Sequence, residues 1–233
     1  MSEPREYRQL RFRRPPGSCE ILLVRHGESI PDREGESLPL LDGHGDPPLD
    51  PIGHEQAERI ADRLVASGEV IAAIYVTTLQ RTHQTAAPLA SRLGVEPRIE
   101  PELREVHLGE WEGGAYRRRV SEGDPLAVRM MVEQRWDVIP GAEESAAFAA
   151  RVRRGITRVA TAHADETVVV VSHGGVIGQV VADATGSRPF AFLGSDNGSI
   201  THLVVAGERW IIRRYNDTAH LGLAYTIAPE PLT

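Results

Sequence analysis

Lysine is missing from this chain. All 26 basic residues among its 233 are arginine. That excludes two chemistries at once: a phosphate-binding loop built on a Walker lysine, and covalent catalysis through a lysine Schiff base. Cysteine occurs once, at Cys19, so an intrachain disulfide cannot form. No run approaches the roughly 20 apolar residues of a membrane-spanning helix. The N-terminal stretch is basic, with Arg5, Arg8, Arg11, Arg13 and Arg14. The Arg13-Arg14 pair resembles an export signal, and "PGSC" before Ile21 a lipobox. In both cases the required apolar stretch is missing, and Pro15, Pro16 and Gly17 stand in its place. These absences predict a cytoplasmic protein in which residues 1–18 form a flexible, Arg-rich tail and residues 19–228 a single domain. The formal net charge of −7 argues against nucleic acid or a membrane surface as a partner.

What is present reads as an ordinary globular chain, 41% hydrophobic and 25% charged. Short strand-like runs lie at Glu20–Arg25, Ile71–Val76, Thr167–Ser172, Ile200–Val205 and Arg209–Tyr215. Helical periodicity fills most intervals: Gly53–Ala66, a stretch capped by Thr78 and ending near Gly94, Glu143–His163, and Gly175–Ala184. Alternating strands and helices predict a three-layer α/β/α sandwich with a mostly parallel sheet. Only Ala206-Gly207-Glu208 separates the last two strands, which predicts a hairpin and one antiparallel edge strand. The stretches Glu28–Asp50 and Gly113–Ala142 read as long irregular loops.

In open α/β sheets, ligands bind beyond the carboxyl ends of the strands. Three strands end in residues suited to one task. The first ends in Arg25-His26-Gly27. The second ends in Thr77-Thr78, with Arg81 in the following helical turn. The third ends in Ser172-His173-Gly174-Gly175 before a helix. Two imidazoles, two guanidinium groups and a helix N-terminus at one rim fit a phosphate. Gly27 and Gly174 would let backbone come close. Any one of these features alone is commonly structural; their recurrence at three strand ends carries the inference.

Five segments in order then resemble one family. "LLVRHGES", "GDPPLDPIGHEQAERIADRL" (Gly45–Leu64), "TTLQRTHQTA" (Thr77–Ala86), "LREVHLGEWEG" (Leu103–Gly113) and "VSHGGVIGQVV" (Val171–Val181) are similar to motifs of the histidine phosphatase superfamily, its phosphoglycerate-mutase-like branch. "NDTAHL" (Asn216–Leu221) adds to the likeness. The resemblance spans about Glu20 to Leu221. It implies His26 as a nucleophile forming a phosphohistidine, Glu105 as general acid and base, and Arg25, Arg81 and His173 as phosphoryl ligands and transition-state stabilisers. It implies no metal or other cofactor, a small-molecule phosphate ester as partner, and it allows a homodimer.

The chain departs from the pattern in one place. Many relatives carry an asparagine shortly after RHG that helps hold phosphate, and "ESIPDREGESLPLLDG" contains none. Ser29 or His44 are the candidates to replace it, and Gly174 is expected to contribute a backbone contact. Arg117, Arg118, Arg119 and Trp136 read either as a lid over the substrate or as solvated surface with a buried Trp. "DGHGD" (Asp42, His44, Asp46) has the elements of a metal site but reads better as a turn-rich loop. Cys19 and Arg25 have the C-x5-R spacing of cysteine-dependent phosphatases, yet the residues between them form a strand whose backbone groups should be paired. The missing lysine after Glu105 favours a phosphatase over a mutase by family pattern. A non-catalytic phosphate-binding module on this fold is the remaining alternative.

Overall fold

The computed structural model describes residues 6–222. Strand β1 (Cys19–Arg25) runs through the middle of a six-stranded sheet ordered β5-β4-β6-β1-β7-β8. Its neighbours are β6 (Thr167–Ser172), parallel, and β7 (Ile200–Ala206), antiparallel. Beyond β6 lie β4 (Ile71–Val76) and the two-residue β5 (Arg98–Ile99), both parallel. Beyond β7 lies β8 (Arg209–Asp217). The mixed α/β sheet is as the sequence predicts, with one adjustment: the antiparallel strand is β7, one place in from the edge. The hairpin turns the chain once more, so edge strand β8 again runs with β1.

Each strand distributes its side chains by the period-two rule. Ile21 and Leu23 of β1 join Val168 and Val170 on one face, under α5 (Ser145–Ala162) and α6 (Gly174–Thr185). Val24 joins Ile74, Val76, Val169 and Val171 on the other, under α1 (Pro51–Ala66) and α2 (Gln80–Leu93). All six residues of β6 are buried, as a strand covered on both faces requires.

Helix starts follow capping chemistry. Asp50 caps α1, its carboxylate accepting from the Gly53 N–H at 2.7 Å, with Pro51 in the first turn. Thr78 does not cap α2. That helix starts after Leu79, and its first N–H, on Gln80, donates to Asp46 from a distant segment at 2.8 Å. Gly94 and Gly186 end α2 and α6 in the left-handed conformation.

The two long stretches contain more structure than the sequence predicts. Within 28–50, β2 (Leu40–Leu41) and β3 (His44–Gly45) pair around Asp42 and Gly43, both at positive φ, a tight hairpin turn. Within 113–142 lie α3 (Ala115–Ser121) and α4 (Pro125–Glu133), the latter capped by Asp124. The N-terminal segment is tied to the domain at its end. Gly17 N–H donates to Asp165 Oδ1 at 2.7 Å, and Arg213 stacks on the Phe12 ring at 3.8 Å. The expected domain end at 228 lies outside the described residues.

Candidate active site

The sheet order makes neighbours of the three strands whose ends carry the motifs: β4, β6 and β1 lie side by side. Arg25 is in register with Ser172, so His26 and His173 follow on adjacent strand ends. Their rings meet edge to face, centroids 5.2 Å apart. Arg81, in the first turn of α2 beyond β4, comes to the same place. The structure thus brings Arg25, His26, Arg81, Glu105 and His173 together.

His26 is held in one tautomer. Its Nδ1 lies 2.7 Å from the Gly27 carbonyl, which can only accept, so Nδ1 carries the proton. Nε2 then presents a lone pair, which accepts from Arg81 Nε at 3.2 Å. Burial, with Arg81 and Arg25 beside it, pushes the imidazole pKa well below 6.5 and keeps the ring neutral. Burial first, then Arg81, acts likewise on His173. Its Nε2 sits 3.0 Å from Thr77 Oγ1, while its Nδ1 is buried without a hydrogen-bond partner among the described residues.

The arginines are fixed by backbone oxygens. Arg25 donates to the Ser195 carbonyl, leaving its buried Nε without a partner among the described residues. Asn216 holds that loop, its side chain bonding Asp196 through both Oδ1 and Nδ2 at 2.7 Å. This gives the "NDTAHL" segment a physical role. Arg81 donates to the Gly45 carbonyl at 2.9 Å and lies 3.9 Å from Asp46. Desolvation lowers its pKa to about 10, so it stays cationic at neutral pH.

Glu105 accepts from Val106 N–H at 3.0 Å and, at the start of α6, from Gly175 N–H at 3.2 Å. A Cβ at residue 175 would sit 2.5 Å from its Oε1, so only glycine leaves room for the carboxylate. Gly174 differs from the expectation: a Cβ added there would meet Arg25 Nε at 3.4 Å, an ordinary contact, so close approach does not require glycine at this position. Gly27 has a different neighbour from the expected ligand: a Cβ there would run into the Gly53 carbonyl, and one on Gly53 into the Glu28 carbonyl. This pair lets α1 dock directly against the loop after β1.

Ser29 is buried, and its hydroxyl accepts from Arg117 at 2.7 Å. His44 packs edge-on against His107 at 4.7 Å, and burial lowers its pKa to about 4. Asp42, His44 and Asp46 do not converge; among the described residues no group of three His, Cys, Asp or Glu is placed to hold a metal. Cys19 is fully buried at the start of β1, and burial raises its thiol pKa to about 12. The strand between it and Arg25 is paired on both sides, so no phosphate-binding loop exists there.

Two residues of α3 lie near the cluster. The Tyr116 ring lies between Trp111 and Trp136, centroids 6.3 and 6.4 Å away. Burial, with the Glu105 charge nearby, raises the phenol pKa to about 12. Arg117 donates to Ser29 Oγ and, at 2.8 Å, to the Ile30 carbonyl. Its charge acts on Arg25, His26 and Arg81. The sequence offered Arg117, with Arg118 and Arg119, either as part of a lid over the substrate or as solvated surface. No local signal places it, because its contacts with Ile30 and Ser29 span 87 and 88 residues of chain.

A doubly covered sheet with two histidines and two arginines at its carboxyl rim defines a phosphoryl-handling enzyme. The chain belongs to the histidine phosphatase superfamily (branch 1), whose profile matches residues 21–218, and is of the phosphoric monoester hydrolase class. It is 34% identical over 207 residues to phosphoglycerate mutase-like protein 4 of Arabidopsis thaliana, covering 87% of each chain. It is 32% identical to a metal-independent phosphoserine phosphatase of the same plant, over 87% of this chain and 83% of that one. Its fold superposes on phosphoglycerate mutase from Bacillus anthracis with a TM-score of 0.72, at 19% identity, over 88% of this chain and 96% of the other.

Proposed function

We propose that the protein is a metal-independent phosphatase that hydrolyses a small phosphate monoester through a phosphohistidine on His26. One observation carries the reading. A neutral imidazole whose Nε2 lone pair is held only by Arg81 Nε stands with two buried polar atoms, Arg25 Nε and His173 Nδ1, that lack hydrogen-bond partners among the described residues. Buried donors without partners are costly, and an anion at this point would satisfy them.

Nε2 attacks phosphorus in line as the bond to the ester oxygen breaks. Glu105 gives its proton to that oxygen, and the alcohol leaves. Water then attacks the phosphorus; Glu105 takes its proton, the P–N bond breaks, and inorganic phosphate departs with His26 restored. Arg25 and Arg81 stabilise the charge on the phosphoryl oxygens. A unit charge pair about 4 Å apart is worth roughly 4 kcal/mol at an effective dielectric near 20, so two guanidinium groups are a large lever. If the Thr77 hydroxyl donates to His173 Nε2, His173 Nδ1 becomes an N–H donor for a phosphoryl oxygen. The stretch after Glu105 lacks the lysine of the family's mutases, which favours water over a second hydroxyl as the acceptor.

The test is hydrolysis of an aryl phosphate in the presence of EDTA by the wild type, His26→Ala and Cys19→Ser. The expected result is EDTA-insensitive turnover that His26→Ala abolishes and Cys19→Ser retains. Turnover surviving in His26→Ala but lost in Cys19→Ser would overturn the reading.

A further inference from the structure

A second cavity lies over β1, β7 and β8, and none of its lining residues belongs to the phosphoryl cluster. Strand pairing sets Leu22, His202 and Arg214 in one row across the sheet, on the face that α1 packs against. His202 pairs with Arg214 and Leu203 with Ile212, so Arg213 is an extra residue in β8. Such a bulge re-aims side chains, and both arginines line the cavity. Arg63 and Leu64 of α1 wall one side, and Arg11 and Phe12 of the N-terminal segment close another. The space is about 570 Å³, within the range of sites for small organic ligands.

The His202 Nε2 is buried without a hydrogen-bond partner among the described residues. The Glu20 carboxylate stands 3.7 Å from it, too far for a hydrogen bond. A buried nitrogen left in this way is costly unless a ligand meets it. Arg63 is neutralised by Asp217, to which it donates at 3.0 Å, and the Arg214 charge also reaches that carboxylate. The Glu20 and Glu69 charges act on His202. Arg11, Arg213 and Arg214 form no ion pair among the described residues. The Arg213 guanidinium lies over the Phe12 ring at 3.8 Å, which leaves its N–H groups for a ligand. Leu22, Leu64 and Ile200 supply apolar surface for a flat ring.

We propose that this cavity binds a nucleoside monophosphate. The phosphate engages Arg11, Arg213 and Arg214, and the base lies on Leu22, Leu64 and Ile200. The edge of the base donates to Glu20 and accepts from His202 Nε2. Adenine carries such a donor and acceptor side by side.

Adenosine 5′-monophosphate and ribose 5-phosphate differ by the base and make the test. Their dissociation constants are measured calorimetrically on the full chain carrying His26→Ala, which cannot turn them over. Further variants add His202→Leu, or Arg213→Gln together with Arg214→Gln. Both arginines are exposed, so melting temperatures near that of the parent are expected and check the fold. The arginine pair should weaken the nucleotide by about 10- to 100-fold, the scale of charge-assisted contacts. His202→Leu should weaken the nucleotide by about 10-fold and leave ribose 5-phosphate unchanged. Absence of nucleotide binding would overturn the proposal. So would binding that the arginine pair does not alter, which would place the nucleotide at the phosphoryl cluster. Equal weakening of both ligands by His202→Leu would also overturn it. With His26 intact, the arginine-pair variant should hydrolyse an aryl phosphate as the wild type does. If neither hydrolyses it while the binding pattern is seen, the nucleotide site stands and the phosphatase reading falls.

Discussion

On the proposed mechanism His26 must be neutral to act, and its buried surroundings secure that. Desolvation and two neighbouring guanidinium groups oppose a proton on Nε2, and the Gly27 carbonyl claims the one on Nδ1. The nucleophile should therefore remain available well into the acid range. A profile of kcat/KM against pH is expected to show no histidine-controlled loss at 6.5; an acid limb centred there would contradict the depressed pKa. Glu105 is tested through the leaving group. Glu105→Gln should slow hydrolysis of an alkyl phosphate by about 10²–10⁴-fold. It should slow a p-nitrophenyl ester far less, since that leaving group departs without a proton. Equal losses on both would remove Glu105 from the acid role.

Among the elements, glycines do more for the site than the sequence alone discloses. Gly175 opens α6 and leaves room for the Glu105 carboxylate. Gly175→Ala should displace it and lower kcat by about 10- to 100-fold, with a melting temperature close to wild type. Gly53 acts on the fold, because its Cβ would strike the Glu28 carbonyl. Gly53→Ala should cost about 2–4 kcal/mol and lower Tm by about 5–15 °C; an unchanged Tm would show that α1 tolerates the shift. Long periodic elements were legible from sequence: α1, α2, α5, α6 and the buried strands all declare themselves by spacing. The short ones were not. Helix α3 has no fully buried residue, so it carries no apolar stripe to read. Helix α4 offered only Asp124-Pro125 as a start signal. The cap on α2 comes from Asp46, 34 residues before Gln80, a contact no local pattern can reveal.

For the molecule as a whole, the strand order does what no single motif can. With β4, β6 and β1 adjacent, the motifs that end them share one rim. The cluster of Arg25, His26, Arg81, Glu105 and His173 was readable because each member sits beside a strand end or within a family segment. The approach of Arg117 was not, since it depends on how α3 folds back on the loop after β1. Burying neutral histidines also sets an acid limit. His26, His44 and His173 all have pKa values depressed below 6.5, His44 to about 4. The unfolded chain binds these protons first, so their contribution to stability is full above pH 6.5 and is lost as pH falls below it. Each such group contributes a slope of up to about 1.4 kcal/mol per pH unit in that window. Thermal melts should show Tm falling steadily from pH 7 to pH 5; a flat profile would mean that these rings are protonated in the folded protein.

The most direct measurement of the central claim is capture of the covalent intermediate. Enzyme mixed with a substrate carrying a radiolabelled phosphoryl group is quenched within a turnover and digested, and the labelled peptide is identified. The account predicts label on His26, stable in alkali, released by acid, and absent from His26→Ala. Label that survives acid, or that persists in His26→Ala, would contradict it.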